Sequence, residues 1–298
     1  VSLGHQLAAL RVLVRGAGEL GSAVAAHLAR AGCEQLLLVE LPFPKAVRRN
    51  VCFSEAVFEH AKTVEGVTAR LIMDLREIPA VFARGDLALT TFPLPQVLAA
   101  FRPDVYVEAA MLRRNWGLSM DLAPLVIALG PGYRAGQDCH VVVETARGPQ
   151  LGRLAEEGEE LSAAPPAEIL GFREERVIKA SYRGIFHTNR HIGDRVEKGE
   201  KIGFISLLVA KEDLYRGVPV DDEFPVVARV AGVIRGLLRD SVPVEPGDKI
   251  GDIDPRGVTE DLTHISDKAR RVAEGVLEAI VLHLPSLSRR ETAEVSLP

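Results

Sequence analysis

The stretch RVLVRGAGELGSAVAAHLARAG, residues 11–32, leaves the front of the chain few ways to fold. Val12, Leu13 and Val14 form an apolar run that ends directly on glycines, as a buried parallel strand does. Beyond the glycines, Val24, Leu28 and Ala31 recur at helical spacing, and Gly32 stands where a helix C-terminus favours glycine. The turn between strand and helix reads Gly16-Ala17-Gly18-Glu19-Leu20-Gly21. In such a turn Gly16 permits the tight bend and Gly18 lets backbone approach a phosphate. Gly21 lets helix and strand pack closely. The N–H groups and dipole of the helix start then favour an anion.

A second apolar run, QLLLVE, closes on Glu40, 19 positions after Gly21. A preceding strand, a following helix and this acid are the contexts that separate a dinucleotide-binding turn from a chance glycine run. The acid would accept hydrogen bonds from ribose hydroxyls and repel a 2′-phosphate. The expected binding residues are therefore Gly16, Ala17, Gly18, Gly21 and Glu40. VTARLIM, LALTT, DVYVEAA and PLVIAL supply further strands, and their alternation with other segments predicts a parallel sheet faced by helices.

Other polar groups are weaker candidates. Arg48 and Arg49 read as an exposed pair on a solvated face, with a phosphate contact as the alternative. Gly130, Gly132 and Gly136 either line the crevice beyond the strands' carboxyl ends or simply make a turn. His140 and Glu144 flank three valines that favour strand, and four strand residues span roughly 13 Å. Two ligands so far apart cannot share one ion. His187 and His191 have the same spacing and are discounted likewise, so no metal site is expected.

The back half contains one unit written twice. Residues 183–205 and 231–253 align without a gap at an offset of 48, with 8 of 23 positions identical. Two copies are too few for a solenoid and predict a small pseudo-twofold β domain. The pattern resembles the barrel-sandwich hybrid of biotinyl and lipoyl carrier domains. Those carry a modified lysine on the hairpin between copies, which by register falls near Val209; the Glu-Ala-Met-Lys-Met type of signature is missing there. Lys211 reads as a surface lysine, and covalent biotin or lipoate is not expected. Residues 206–230 read as an exposed excursion with the character of a contact surface.

The expected organisation is a Rossmann-like parallel-sheet domain over residues 1–150 and a linker over 151–175 rich in Glu, Ala, Gly and Pro. A barrel-sandwich-hybrid-like β domain follows over 176–258, then a C-terminal helix and tail over 259–298. In that helix Ser266 caps the start and Val272, Val276, Ala279 and Ile280 mark the buried stripe; fraying is expected from Pro285 onward. A net charge of −5 argues against a general nucleic-acid binder. Three scattered cysteines suggest neither a disulfide framework nor a zinc site. No apolar run approaches the roughly 18 residues of a membrane span, and no signal-peptide pattern is seen, so a cytoplasmic address without membrane contact is expected.

VRGAGELGSAVAAHLARAG, RRNVCFSEAV, LGPGYRAGQDCHVVVETARGPQLGR, GVIRGLLRD, KIGDIDPR and ISDKARRVAEGVLEAI together resemble the YqeB family, from about residue 11 to residue 282. Cys139 and Glu274 depart from its pattern. The resemblance implies an accessory protein in the maturation of selenium-dependent molybdenum hydroxylases, partnered by such a hydroxylase or by other maturation factors. A glycine turn recognises pyrophosphate whatever ring lies beyond it. NAD and a molybdopterin dinucleotide are therefore both candidate ligands. Two further readings stand beside this one. An NAD-dependent oxidoreductase would need a proton donor or acceptor beside the nicotinamide, for which Tyr133 and His140 are available without forming a recognisable pair. An interaction scaffold would need no ligand at all. No catalytic residue is assigned.

Overall fold

The computed structural model describes residues 2–112, 114–161, 163, 165–207 and 223–294. The chain divides into two units: Val1–Pro42, Cys52–Ala164 and Ile265–Pro298 form the first, and Phe43–Val51 with Pro165–His264 the second.

In the first unit α1 (Leu3–Ala9) precedes β1 (Arg11–Arg15), α2 (Glu19–Arg30) and β2 (Gln35–Val39). Then come α3 (Ala56–Glu59), the hairpin β3 (Ala61–Val64) and β4 (Val67–Leu71), α4 (Ile78–Phe82) and β5 (Leu87–Thr90). The element series continues with α5 (Leu94–Phe101), β6 (Val105–Glu108), β7 (Leu125–Leu129) and β8 (Val141–Val143). All eight strands join one sheet in the order β3-β4-β5-β2-β1-β6-β7-β8. Every neighbouring pair is parallel except the β3–β4 hairpin. From β1 the chain adds β2, places the β3–β4 hairpin at the edge, fills the gap with β5, then returns to β1's other side with β6. Strand order thus reverses between β1 and β6, and the crevice above their carboxyl ends is where open parallel sheets take ligands. Burial on both faces explains the unbroken apolar runs: Val12, Leu13, Val14 and all of β7 are buried.

The helix α6 (Asp267–Glu294) belongs to this same unit. It packs on α2, β7 and β8, the last two being strands that no described α-helix follows directly. Ser266 Oγ accepts the Ala269 N–H at 3.3 Å, and Val272, Val276, Ala279 and Ile280 are fully buried. Glu65 accepts the Ile265 N–H at 2.9 Å and pairs with Arg270 at 2.6 Å, fixing the helix start. Residues 259–298 therefore do not form a separate element: the apolar stripe of α6 is buried in the parallel-sheet unit from Ile265 onward. The helix also continues through Pro285 to Glu294 where fraying was expected. Leu284 and Leu287 are buried on either side of the proline, and their packing offsets the hydrogen bond it removes. The expected 151–175 linker likewise splits, because Gly152 N–H donates to Glu144 O and Ala155 N–H to Val142 O, laying its first part along β8.

The second unit holds β9 (Val177–Lys179), β10 (Gly184–His187), β11 (Arg195–Val196) and β12 (Lys201–Leu207), then β13 (Glu223–Val227), β14 (Gly232–Leu237), β15 (Val242–Val244) and β16 (Lys249–Asp254). They make two four-stranded sheets, β13-β12-β10-β15 and β11-β14-β16-β9, all antiparallel. The offset of 48 maps β9, β10, β11 and β12 onto β13, β14, β15 and β16. Each sheet takes strands from both copies, so neither copy closes a sheet alone. Even the irregularities repeat, with register shifts between Lys201 and Gly203 and between Lys249 and Gly251. Val209, Lys211 and most of the 206–230 excursion lie outside the described residues.

Arg48 and Arg49 are not an exposed pair. Arg48 is buried and donates to the carbonyls of Asp261 (2.9 Å) and His264 (3.0 Å), while Arg49 Nε donates to Leu237 O at 2.8 Å. Main-chain carbonyls of the second unit hold both side chains, a pairing that sequence proximity does not reveal. Among the described residues no helix is long and apolar enough to cross a membrane.

Two equivalent glycines test the duplicated architecture. A Cβ on Gly184 would lie 2.1 Å from Ser206 O, and one on Gly232 would lie 2.3 Å from Asp254 O. Gly184→Ala and Gly232→Ala should each cost about 1–3 kcal/mol in urea unfolding, the usual penalty for forcing an atom into packed backbone. Wild-type stability in either variant would show that these strands are not paired as described.

Candidate functional site

The three glycines of the first turn meet three different constraints. Gly16 has φ +95°, and a Cβ there would lie 2.9 Å from Ala110 N at the end of β6. A Cβ on Gly21 would lie 1.8 Å from Gly16 O, so the first turn of α2 rests directly on the bend. Gly18 is unlike both. Its backbone is extended (φ −68°, ψ −171°), it is the N-cap of α2 without a side-chain cap, and nothing lies within 4 Å of where its Cβ would be. The fold needs glycine at positions 16 and 21 but has no steric need of it at 18.

Hydrogen bonds lock the turn from several sides. Gly16 N–H donates to Val39 O (2.8 Å), and Ala109 N–H to Arg15 O (2.8 Å), knitting β1's end to β2 and β6. Ala17 O accepts Ser54 N–H (3.0 Å) and the Ser22 hydroxyl (2.8 Å), whose oxygen accepts Phe53 N–H. Glu19 turns its carboxylate to the Ser266 N–H at the start of α6 (3.3 Å). That places the acid of the turn at a helix N-terminus, where negative charge is favoured.

Glu40 lies beside the turn, one residue past β2. Its Oε2 accepts Ala17 N–H and its Oε1 accepts Leu41 N–H, both at 2.7 Å. Burial pushes this carboxyl above its ordinary range, although the two N–H donors and the Arg15 charge oppose the shift. Each oxygen keeps an acceptor direction beyond the one used, so hydroxyl donors from a ligand would stabilise the ionised form further. All five expected residues thus come together at the carboxyl edge of the sheet.

Sequence reasoning missed a polar cluster on the turn's other flank. Arg15 closes β1 and Glu108 closes β6, and they pair at 2.8 Å across the reversal of strand order. Glu108 also accepts the Tyr106 hydroxyl (3.1 Å) and Ala110 N–H (3.1 Å). Burial lowers the Arg15 pKa, but Glu108 outweighs it and the net shift is upward. Tyr133 comes from the second glycine stretch and feels the charges of both Glu108 and Arg15. Among the described residues its buried hydroxyl has no hydrogen-bond partner. Burial, reinforced by Glu108, raises the pKa of Tyr106 and Tyr133, so both remain neutral donors at physiological pH. The signal was present in the sequence: RVLVR, QLLLVE and DVYVE are apolar strands that each close on a charge.

The second glycine stretch divides between its two expected roles. Gly130, Gly132 and Gly136 all have positive φ, as turn residues do. Gly130 abuts Thr145 and Met111 at the carboxyl end of β7, whereas Gly136 packs against Glu157. His140 Nδ1 accepts Val126 N–H (3.0 Å), and Glu144 accepts Ala146 N–H (2.6 Å), with β8 between them. In the second unit His187 stacks on Phe204 (ring centroids 4.8 Å apart) and bonds Ser206 Oγ. It lines a cavity of about 620 Å³, together with Arg190, Lys201 and Asp240. The thiols are buried, and burial pushes Cys33 and Cys139 up to about 12.

No family model matches the chain. It is similar to the "Uncharacterized protein YqeB" of Escherichia coli (strain K12), with 40% identity over 98% of the chain, and spans about half (51%) of that relative's length. Among solved structures, Escherichia coli tRNA N6-threonylcarbamoyladenosine dehydratase, TcdA, in complex with ATP shares 18% identity over 45% of this chain and 56% of its own, with a TM-score of 0.28. A succinylglutamatedesuccinylase/aspartoacylase from Rhodobacter sphaeroides shares 11% identity over 82% of this chain and 84% of its own, with a TM-score of 0.27. Scores this low carry no argument about fold or ligand.

The raised Glu40 pKa gives stability a pH signature. The folded chain keeps that proton to higher pH than the unfolded chain, which releases it near 4.5. The stability from this group is full below that value and is lost as pH rises through the raised folded pKa. Glu40→Gln cannot ionise, so its urea midpoint should lack this component. From about pH 4 to pH 7 the wild type should fall relative to the variant; a constant gap would contradict the partly buried placement of Glu40.

Proposed function

We propose that the chain is a dinucleotide-binding accessory protein of the YqeB family, acting in the cytoplasm during maturation of selenium-dependent molybdenum hydroxylases. In this reading the parallel-sheet unit is Rossmann-like, and Gly16, Ala17, Gly18, Gly21 and Glu40 hold a pyrophosphate-containing dinucleotide. Either NAD or a molybdopterin dinucleotide in transit satisfies the chemistry. The interlocked sheets are then a barrel-sandwich hybrid that meets a hydroxylase or another maturation factor. The 40% identity to YqeB supports the family.

One observation carries the binding reading: Gly18 is glycine at a helix N-cap where packing does not require it. The first N–H groups of a helix have no intrahelical acceptor, and an uncovered cap leaves room for a phosphate to reach them. Glu40 on one flank suits ribose hydroxyls. A second reading, an NAD-dependent oxidoreductase, draws on the unpartnered Tyr133 hydroxyl beside Arg15 and Glu108, a neutral donor at the edge of the same site. Oxidation of reduced nicotinamide that requires a substrate and disappears in Tyr133→Phe would favour it.

Calorimetric titration of the purified chain with NAD and with a molybdopterin dinucleotide tests the primary reading. At least one should bind. Gly18→Val should weaken binding by at least ~30-fold, about 2 kcal/mol, without lowering the melting temperature, because no protein atom lies within 4 Å of where a Cβ would stand. Absence of binding by the wild type, or full affinity in the variant, removes the reading.

A further inference from the structure

Several large apolar side chains sit exposed just beyond the carboxyl ends of the parallel strands. Leu41 (56% exposed) stands two residues after β2, Met73 (72%) two after β4, and Met111 (39%) three after β6. Trp116 (64%) lies farther along the Met111 loop and is the chain's single tryptophan. Apolar side chains beside the charges and backbone amides at the strands' carboxyl ends are what a ligand with flat rings requires.

The loop that presents Trp116 starts against the glycine turn, and Asn115 fixes its residues 115–118. It leaves β6 at Ala109 and Ala110, the residues a Cβ on Gly16 would strike. Asn115 Oδ1 accepts the N–H groups of Gly117 (2.9 Å) and Leu118 (2.7 Å), while its Nδ2 donates to Leu118 O (3.0 Å) and Asp138 Oδ1 (2.9 Å). Asp138 belongs to the second glycine stretch, where its other oxygen accepts Arg134 N–H. The loops after β6 and β7 are thus stitched together, and Met111 reaches back to Gly130. Arg114 lies over the indole with its Cζ 4.1 Å from the ring centroid. One indole face carries a cation, and the ring remains largely open to solvent.

Strand order assigns the ends of a ligand. In β2-β1-β6, Glu40 flanks the turn on one side and the Met111–Trp116 loop on the other. A dinucleotide with one ribose at Glu40 and its pyrophosphate at Gly18 must send its second half toward β6. We infer that Trp116 stacks on the planar ring at the end of the dinucleotide remote from Glu40, with Met111 beside it. This rests on the dinucleotide reading and names the contact that reads the second ring, whether nicotinamide, nucleobase or pterin. Stacking on an aromatic side chain is worth ~1–3 kcal/mol per base, or about 5- to 150-fold in affinity.

The single tryptophan makes the test direct. NAD and a molybdopterin dinucleotide are titrated into the full chain, with binding measured by equilibrium dialysis and tryptophan emission followed in parallel. Each ligand that binds should quench the emission. Trp116→Ala should bind it about 5- to 150-fold more weakly, and Trp116→Phe should recover most of that loss. The exposure of the side chain leaves folding intact, checked by unchanged melting. Dialysis-detected binding with unchanged emission and wild-type affinity in Trp116→Ala overturns the inference and leaves the Gly18 site standing. No binding by the wild type overturns both.

Discussion

Everything at the candidate site depends on how closely α2 sits on the turn that precedes it. The Gly16 carbonyl occupies the space a Cβ on residue 21 would need. Gly16 in turn rests against Ala109 and Ala110, so helix, turn and two central strands form one stack with no side chain larger than the Ala109 methyl shown between them. Close backbone packing of this kind is rigid, because neither a hydrogen-bonded strand end nor a helix start yields easily. It aims the N-terminus of α2 over the reversal point of the sheet. Gly18 is then left at the tip with no packing duty.

The charges are arranged around that stack so that none is buried alone. Glu40 is satisfied by two backbone N–H groups, and Glu108 by Arg15, Tyr106 and Ala110. A buried carboxylate stripped of such partners would cost several kcal/mol. Glu19, the acid nearest the helix dipole, is committed to Ser266 at the start of α6. Among the described residues, the buried hydroxyls of Ser54, beside the turn, and of Tyr133, which feels the charges of Arg15 and Glu108, have no hydrogen-bond partner. Buried donors are rarely left without an acceptor.

Much of this was readable from the chain. The turn, Glu40, the parallel strands and the buried stripe of α6 follow from apolar periodicity and glycine placement, which are local properties. The doubling of the β unit was visible as identities at a fixed offset. What escaped needed tertiary information. The pairing of Arg15 with Glu108 spans 93 residues, and only the β1–β6 register brings them together. Arg48 looked solvated because nothing nearby in sequence accepts its hydrogens; its acceptors lie more than 200 residues away. The 151–175 segment read as a linker from its composition, which says nothing of the carbonyls of Val142 and Glu144 that its backbone finds.

The two copies of the repeat show where duplicated architecture has been put to different use. Glycine 236 in the second copy corresponds to Thr188 in the first, and Leu237 to Asn189. At Gly236 the missing side chain lets Val47 come close, since a Cβ there would lie 3.1 Å from Val47 O. Leu237 exchanges bonds with the same segment, donating to Val47 O and accepting from Arg49. The buried Leu237 is thereby held by residues 43–51, chain drawn from the region between β2 and α3. The first copy, with Thr188, Asn189 and Arg190 at those positions, lines the cavity beside His187 instead. Backbone geometry is preserved between copies because the sheets exchange strands and each needs the other. Side chains carry no such obligation: even the fully buried Phe186 of the first copy is replaced by Ile234 in the second.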